Sequence, residues 1–216
     1  VSVGNANECL PGTIGCVLMR GNSEFLLSAN HVFARQNQAT IGESIIQPSL
    51  PDLDPACGPS PAGAVIARLS DFEPVVYDGR TANLMDAAIA QVTMNNNAVC
   101  STPQGFYGFP SATVASPAVG MAIMKVGRTT ELTRGDIKSV NVKVKITFPS
   151  GTALFADQIL TSKAFGGFGD SGSLVVTDDG TRRPVGMLIG GTNVGVGIVT
   201  PIGPILSRFG ATVCSN

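Results

Sequence analysis

The sequence predicts an all-β protein with one short C-terminal helix. Short runs rich in Val, Ile, Leu and Thr lie between 26 glycines and 14 prolines scattered along 216 residues, the pattern of strands bounded by turns. Segments with the 3.6-residue period of an amphipathic helix are nearly absent.

In chain order, strands are expected over 15–19, 25–28, 64–69, 87–92, 121–126, 139–148, 173–177 and 185–189. In the sixth run Lys143 and Lys145 alternate with Val142, Val144 and Ile146, the period-2 mark of a strand with one solvated face. The helix candidate is Ile202–Phe209, with Gly210 as its stop. Many short strands favour barrels or sandwiches. A loop-rich stretch over 95–119, opened by Asn95, Asn96 and Asn97 and holding Pro103, Gly105, Gly108, Pro110 and Pro117, separates two strand-rich halves. It divides the chain into units 1–105 and 106–216.

Composition narrows the function. A formal net charge of −1 gives no electrostatic case for nucleic acid, which selects for clustered Lys and Arg. No apolar run reaches bilayer-spanning length, and no signal peptide is present. The chain opens at Val1 without a starting Met, which fits a mature product of a longer precursor and equally a trimmed chain. Low charge with many Gly, Ser, Thr and Asn leans towards an extracellular protein. None of the five cysteines forms a C-x-x-C pair and there is a single His, so no metal site is expected. Cys9 and Cys57 lie in loop-like sequence as candidates for a bridge. Cys16, in an apolar run, reads as a small buried hydrophobe. Asp52 and Asp54 in the Pro-rich 48–62 loop read as turn residues.

Three segments carry chemistry. His31 follows the apolar run Leu26-Leu27-Ser28-Ala29-Asn30, at a strand end where a scaffold can hold it; alone it reads as a structural histidine. Ser171 stands in Gly166-Gly167-Phe168-Gly169-Asp170-Ser171-Gly172-Ser173. A nucleophile needs such flanks, because its backbone turns tightly and its N–H groups must reach a developing oxyanion; the bland alternative is a glycine-rich turn. Asp86 heads the strand-like Ala87-Ala88-Ile89-Ala90, where a carboxylate is costly to bury without a partner. The order His, Asp, Ser, with separations of 86 − 31 = 55 and 171 − 86 = 85, is that of chymotrypsin-like enzymes and differs from the orders of subtilisins and α/β-hydrolases.

These segments, with Pro11-Gly12-Thr13-Ile14-Gly15, Lys125-Val126-Gly127-Arg128-Thr129-Thr130 and Pro184-Val185-Gly186, make the chain resemble bacterial trypsin-like peptidases of the chymotrypsin superfamily, in a subgroup related to the plant NARROW LEAF proteins. The resemblance covers almost the whole chain. It implies two antiparallel β-barrels with the active site between them, and a serine endopeptidase that needs no cofactor and takes peptide or protein in extended conformation. It implies His31 as base, Asp86 behind it, Ser171 as nucleophile, and the N–H groups of Gly169 and Ser171 as oxyanion hole. It implies a cation for Asp170, with Lys125 preferred over the Val1 amine. Ile189, Gly190 and Gly191 would pair with substrate as an added strand, Ile189 standing where many relatives have a Ser that bonds the catalytic Asp. Phe165 falls where trypsin has its pocket acid; with Phe168, Gly191 and Gly197 it suggests a pocket for an apolar side chain. Two other readings stand beside this one, an inactive peptide-binding or scaffold relative and a protease acting mainly on its own precursor.

Overall fold

The computed structural model describes residues 1–58, 63–93 and 98–215; Asn95, Asn96 and Asn97 of the expected boundary, and the end of the 48–62 loop, lie outside the described residues. The elements run β1 (Ser2–Asn5), β2 (Gly12–Thr13), β3 (Cys16–Arg20), β4 (Ser23–Ser28), α1 (Asn30–Phe33), β5 (Ser44–Gln47), a 3₁₀ turn (Leu50–Asp52), β6 (Ala64–Phe72), β7 (Asp78–Asn83), β8 (Ala88–Val92), β9 (Ala122–Gly127), β10 (Glu131–Phe148), β11 (Gly151–Thr161), β12 (Leu174–Thr177), β13 (Pro184–Gly191), β14 (Gly197–Pro201), α2 (Ile202–Phe209) and β15 (Thr212–Val213).

Two curled sheets result. One has the order β15-β3-β4-β8-β6-β5-β1-β2; the other has the order β10-β9-β12-β13-β14-β11-β7, and a β10–β11 pairing closes it into a ring. The first sheet stays open at its ends among the described residues, so it is a half-barrel. The halves exchange strands. β7 joins the second sheet parallel to β11, and β15 returns from the C-terminus to pair with β3. Two disulfides add ties: Cys9–Cys57, and Cys100–Cys214, which also links the halves. Cys16 is the remaining thiol, and burial pushes it up to about 12, so it packs as an apolar side chain.

Every expected strand has an observed counterpart, but β1, β2, β5, β7, β11, β14, β15 and the four-residue α1 lie outside the expected runs. β10 begins eight residues before its apolar stretch, because Glu131–Lys138 is mostly polar and, apart from the buried Ile137, partly or fully exposed, and gives no alternation to read. These residues extend because β9 pairs with them from Glu131↔Gly127 to Asp136↔Ala122. In α2, Ile202, Ile205 and Phe209 share the buried face, and Gly210 caps it at φ 57°, a left-handed backbone that glycine adopts freely.

The core falls into two clusters. Phe25, Leu27, Phe33, Ile89 and Phe155 belong to the larger; Ile123, Phe165, Val175, Leu188 and Val199 form the smaller, inside the ring. The candidate site lies where β2 and the end of β4 in the first half, just before α1, meet the loop before β12 in the second.

Candidate active site

His31 sits on α1, directly after β4. The single helical turn is held from outside: the fully buried Asn30 donates its side-chain amide to Asn37 Oδ1 and to the Glu73 carbonyl, both at 2.7 Å. Asn37, at φ 71°, is tied in turn to both backbone groups of Val75. These bonds fix where His31 points.

Asp86, fully buried, uses both carboxylate oxygens on this one residue. Oδ2 lies 2.5 Å from His31 Nδ1, and Oδ1 accepts the His31 backbone N–H at 3.0 Å. The carboxylate thus sets both ring and main chain. Ile189 is a core residue.

The Ser171 loop is docked onto this region. The Ser171 carbonyl accepts the Thr13 N–H at 2.9 Å. Gly12 beside it packs so tightly on Val32, the neighbour of His31, that a Cβ would stand 2.3 Å from Val32 Cγ1. Gly172, at φ +97°, leaves a Cβ position only 2.2 Å from Ser28 Oγ and 2.3 Å from the Thr13 carbonyl. Only glycine permits that approach. The Ser171 hydroxyl makes no hydrogen bond among the described residues.

Around Ser171 the backbone donors divide in two. The N–H groups of Asp170, Gly172 and Ser173 are taken by Gly167, Leu188 and Asp170 carbonyls, and that of Gly167 by Asp170 Oδ2. The N–H groups of Gly169, itself buried, and of Ser171 have no acceptor among the described residues. Two free backbone donors, one on the serine and one two residues before it, can receive a negatively charged oxygen if they converge.

Asp170 anchors the loop from below. Its Oδ2 lies 3.2 Å from Lys125 Nζ, with both side chains fully buried. It also accepts Thr130 Oγ1 at 2.6 Å and the N–H groups of Thr129, Thr130 and Gly167. Burial pushes this carboxyl up, but the Thr130 hydroxyl, the Lys125 charge and the amides outweigh it and hold it below its ordinary value. Burial pulls the Lys125 ammonium down against the attraction of Asp170; the five contacts on the carboxylate keep the pair ionic.

The residues expected to receive a ligand separate. Phe165 is fully buried in the smaller core cluster, so it is corrected to a core residue with no surface to offer. The reason is packing: Gly135 and Gly197 leave the room its ring fills. Phe168, by contrast, is 76% exposed. Beyond Leu188, β13 keeps β14 on one side, from Gly190↔Ile198 to Gly191↔Gly197, while its pairing with β12 ends at Met187. The backbone at Ile189, Gly190 and Gly191 therefore has an edge free of any strand among the described residues. Leu188 is wedged between Gly166 and Gly197, where a Cβ on either would come within 2.8 or 2.9 Å of it.

Sequence reasoning missed three contributors. Phe148, at the end of β10, sets its ring 5.3 Å from that of His31, and the hairpin tip is fastened to the His31 loop by the Ser150 N–H on Gln36 Oε1. Thr13 and Thr129 hold the Ser171 loop through hydroxyls. Their segments stand out in the sequence, but nothing there signals a contact 156 residues away in the chain. Among the described residues no group of His, Cys, Asp and Glu could hold a metal ion. A cavity of about 610 Å³, lined in part by Ile14, Cys16, Leu26, Val92 and Tyr107, includes none of His31, Asp86 or Ser171 in its walls.

Comparison with known proteins places this architecture. The chain has the chymotrypsin-like fold. A glutamic-acid-specific serine protease superposes with a TM-score of 0.70 at 21% identity, over 99% of this chain and 97% of that one. Protease A of Thermobifida fusca gives 0.67 at 21% identity, over 100% and 96%, and the chymotrypsin of Cellulomonas bogoriensis 0.66 at 18%, over 100% and 96%. Residues 111–200 match the family model of the Nal1 C-terminal domain, which fits the resemblance to NARROW LEAF proteins. No curated protein matches the chain by sequence.

Proposed function

We propose that the chain is a serine endopeptidase acting through an acyl-enzyme. The observation that carries this is the buried Asp86 carboxylate, bonded at once to the ring and the main chain of His31. A carboxylate on Nδ1 selects the tautomer whose Nε2 is free to take a proton. In this reading His31 accepts the Ser171 hydroxyl proton as Oγ attacks the substrate carbonyl, and returns it to the leaving amine. The free N–H groups of Gly169 and Ser171 receive the oxyanion. The Ser171–His31 hydrogen bond closes when substrate binds, since such bonds are often long in empty sites.

Substrate would lie extended along the free edge at Ile189, Gly190 and Gly191. With Leu188 wedged between Gly166 and Gly197, and with no Asp or Glu over 161–168, the pocket suits a small apolar side chain and has no partner for Lys or Arg. Two disulfides support an exported protein, since such bonds persist in oxidising compartments.

The second reading, a binding module without turnover, is favoured by the unbonded Ser171 hydroxyl. A peptide library separates the two. Turnover that disappears in Ser171→Ala, with preference for small apolar residues before the scissile bond, supports the protease; peptide binding without cleavage supports the module.

A further inference from the structure

We propose that Thr129 is a positioning residue that keeps the Phe168–Gly169 peptide turned with its N–H towards the reaction centre, and that the Asp52–Arg128 ion pair across the two halves orients the Thr129 hydroxyl. This rests on the reading of Gly169 N–H as an oxyanion donor.

A trans peptide is planar, so its N–H and C=O point in opposite directions. Whatever grips the Phe168 carbonyl therefore aims the Gly169 N–H. That grip is the Thr129 hydroxyl, donating at 2.6 Å. A hydroxyl has one proton to give, and Arg128 Nη1, donating to Thr129 Oγ1 at 3.1 Å, leaves that proton committed to Phe168.

The two donors are held unequally. The Asp170 carbonyl, opposite the Ser171 N–H, accepts two bonds from Ser173, one from N–H at 3.0 Å and one from Oγ at 2.5 Å. The Phe168 carbonyl accepts one, from a side chain. Gly169, at φ +95°, is a hinge about which that peptide can turn over. The Thr129 hydroxyl lies close against this hinge: a Cβ at Gly169 would stand 2.6 Å from its Oγ1.

Arg128 is itself clamped by the other half. Its Nε donates to Asp52 Oδ2 at 3.0 Å, and its Nη2 pairs with Oδ1. Asp52 also accepts the hydroxyls of Ser2 at 2.5 Å and Ser49 at 2.9 Å. Its 3₁₀ turn is fastened by the Cys57 N–H to the Leu50 carbonyl, beside the Cys9–Cys57 bridge. Docking of the two halves is thereby coupled to one of the two oxyanion donors.

The test compares Thr129→Val with Thr129→Ser in the full chain. Losing one oxyanion donor lowers kcat about 10²–10³-fold. Thr129→Val should show a loss of that order with KM and melting temperature close to wild type, and Thr129→Ser should recover most of it. A crystal structure of Thr129→Val should show the Phe168 carbonyl turned inward. Wild-type kcat in Thr129→Val, a loss that Thr129→Ser does not restore, or an unturned peptide overturns the proposal. If the wild-type protein cleaves nothing, the protease reading fails instead, and the orientation of the peptide in Thr129→Val still decides this inference.

Discussion

The Lys125 ammonium and the Asp170 carboxylate meet 3.2 Å apart with neither side chain exposed. Breaking a buried pair by removing one partner leaves an uncompensated charge and costs about 3–5 kcal/mol. Lys125→Ala should lower the urea midpoint by an amount matching that range and abolish activity, because Asp170 alone cannot hold the loop. Equilibrium unfolding with an activity assay on the same samples checks both.

Acid should destabilise the fold through a small set of carboxyls. For Glu43, burial raises the carboxyl, but Arg35, Thr40 and Asn5 hold it at about 2. Asp52 is held low first by Arg128, and Asp170 is also held low. A depressed carboxyl contributes stability that is present above its unfolded value, about 4, and is lost as pH falls through its folded value. Melting temperature should therefore stay flat from neutrality to about pH 5 and fall steeply from about pH 4 downward. Asp52→Asn should shallow that fall. Melting curves across pH read both.

Thr13 binds the Ser171 loop at two points. Its N–H donates to the Ser171 carbonyl and its Oγ1 to the Gly169 carbonyl, both at 2.9 Å, while Oγ1 accepts the Arg128 N–H. Thr13→Val keeps shape and strips the hydroxyl, leaving the buried Gly169 carbonyl and the half-buried Arg128 N–H unpaired. Each such group costs about 1–3 kcal/mol. Chemical denaturation should show a combined loss of about 2–6 kcal/mol, with reduced kcat.

Two glycines with positive φ should respond differently to alanine. At Gly172 the new Cβ meets the Thr13 carbonyl at 2.3 Å, whereas at Gly210 nothing lies within 4 Å. Gly210→Ala should cost about 1–2 kcal/mol, the left-handed backbone penalty. Gly172→Ala should cost considerably more and disrupt the site. Thermal unfolding of the two variants side by side is the measurement.

How much of this was legible in the sequence follows from which interactions are local. The apolar runs of β4, β8, β12 and β13 are buried along most of their length, so hydrophobicity marks them. The polar start of β10 carries no such signal, since pairing with β9 makes it a strand. His31, Asp86 and Ser171 stand out because histidine is single in the chain and glycine crowds the serine. Phe165 shows the limit: placement by resemblance set it at a pocket wall, and the glycines around it draw the ring into the core. Thr129 and Thr13 act through hydroxyl bonds to carbonyls far along the chain, a property of the folded geometry alone.

Reaction with a fluorophosphonate, followed by peptide mass mapping, probes the proposed pairing of Ser171 with His31 and Asp86 at its reactive atom. One adduct is expected, on Ser171, absent in Ser171→Ala and strongly slowed in His31→Ala. An unmodified protein, or an adduct that persists in Ser171→Ala, would overturn the proposed serine-protease chemistry.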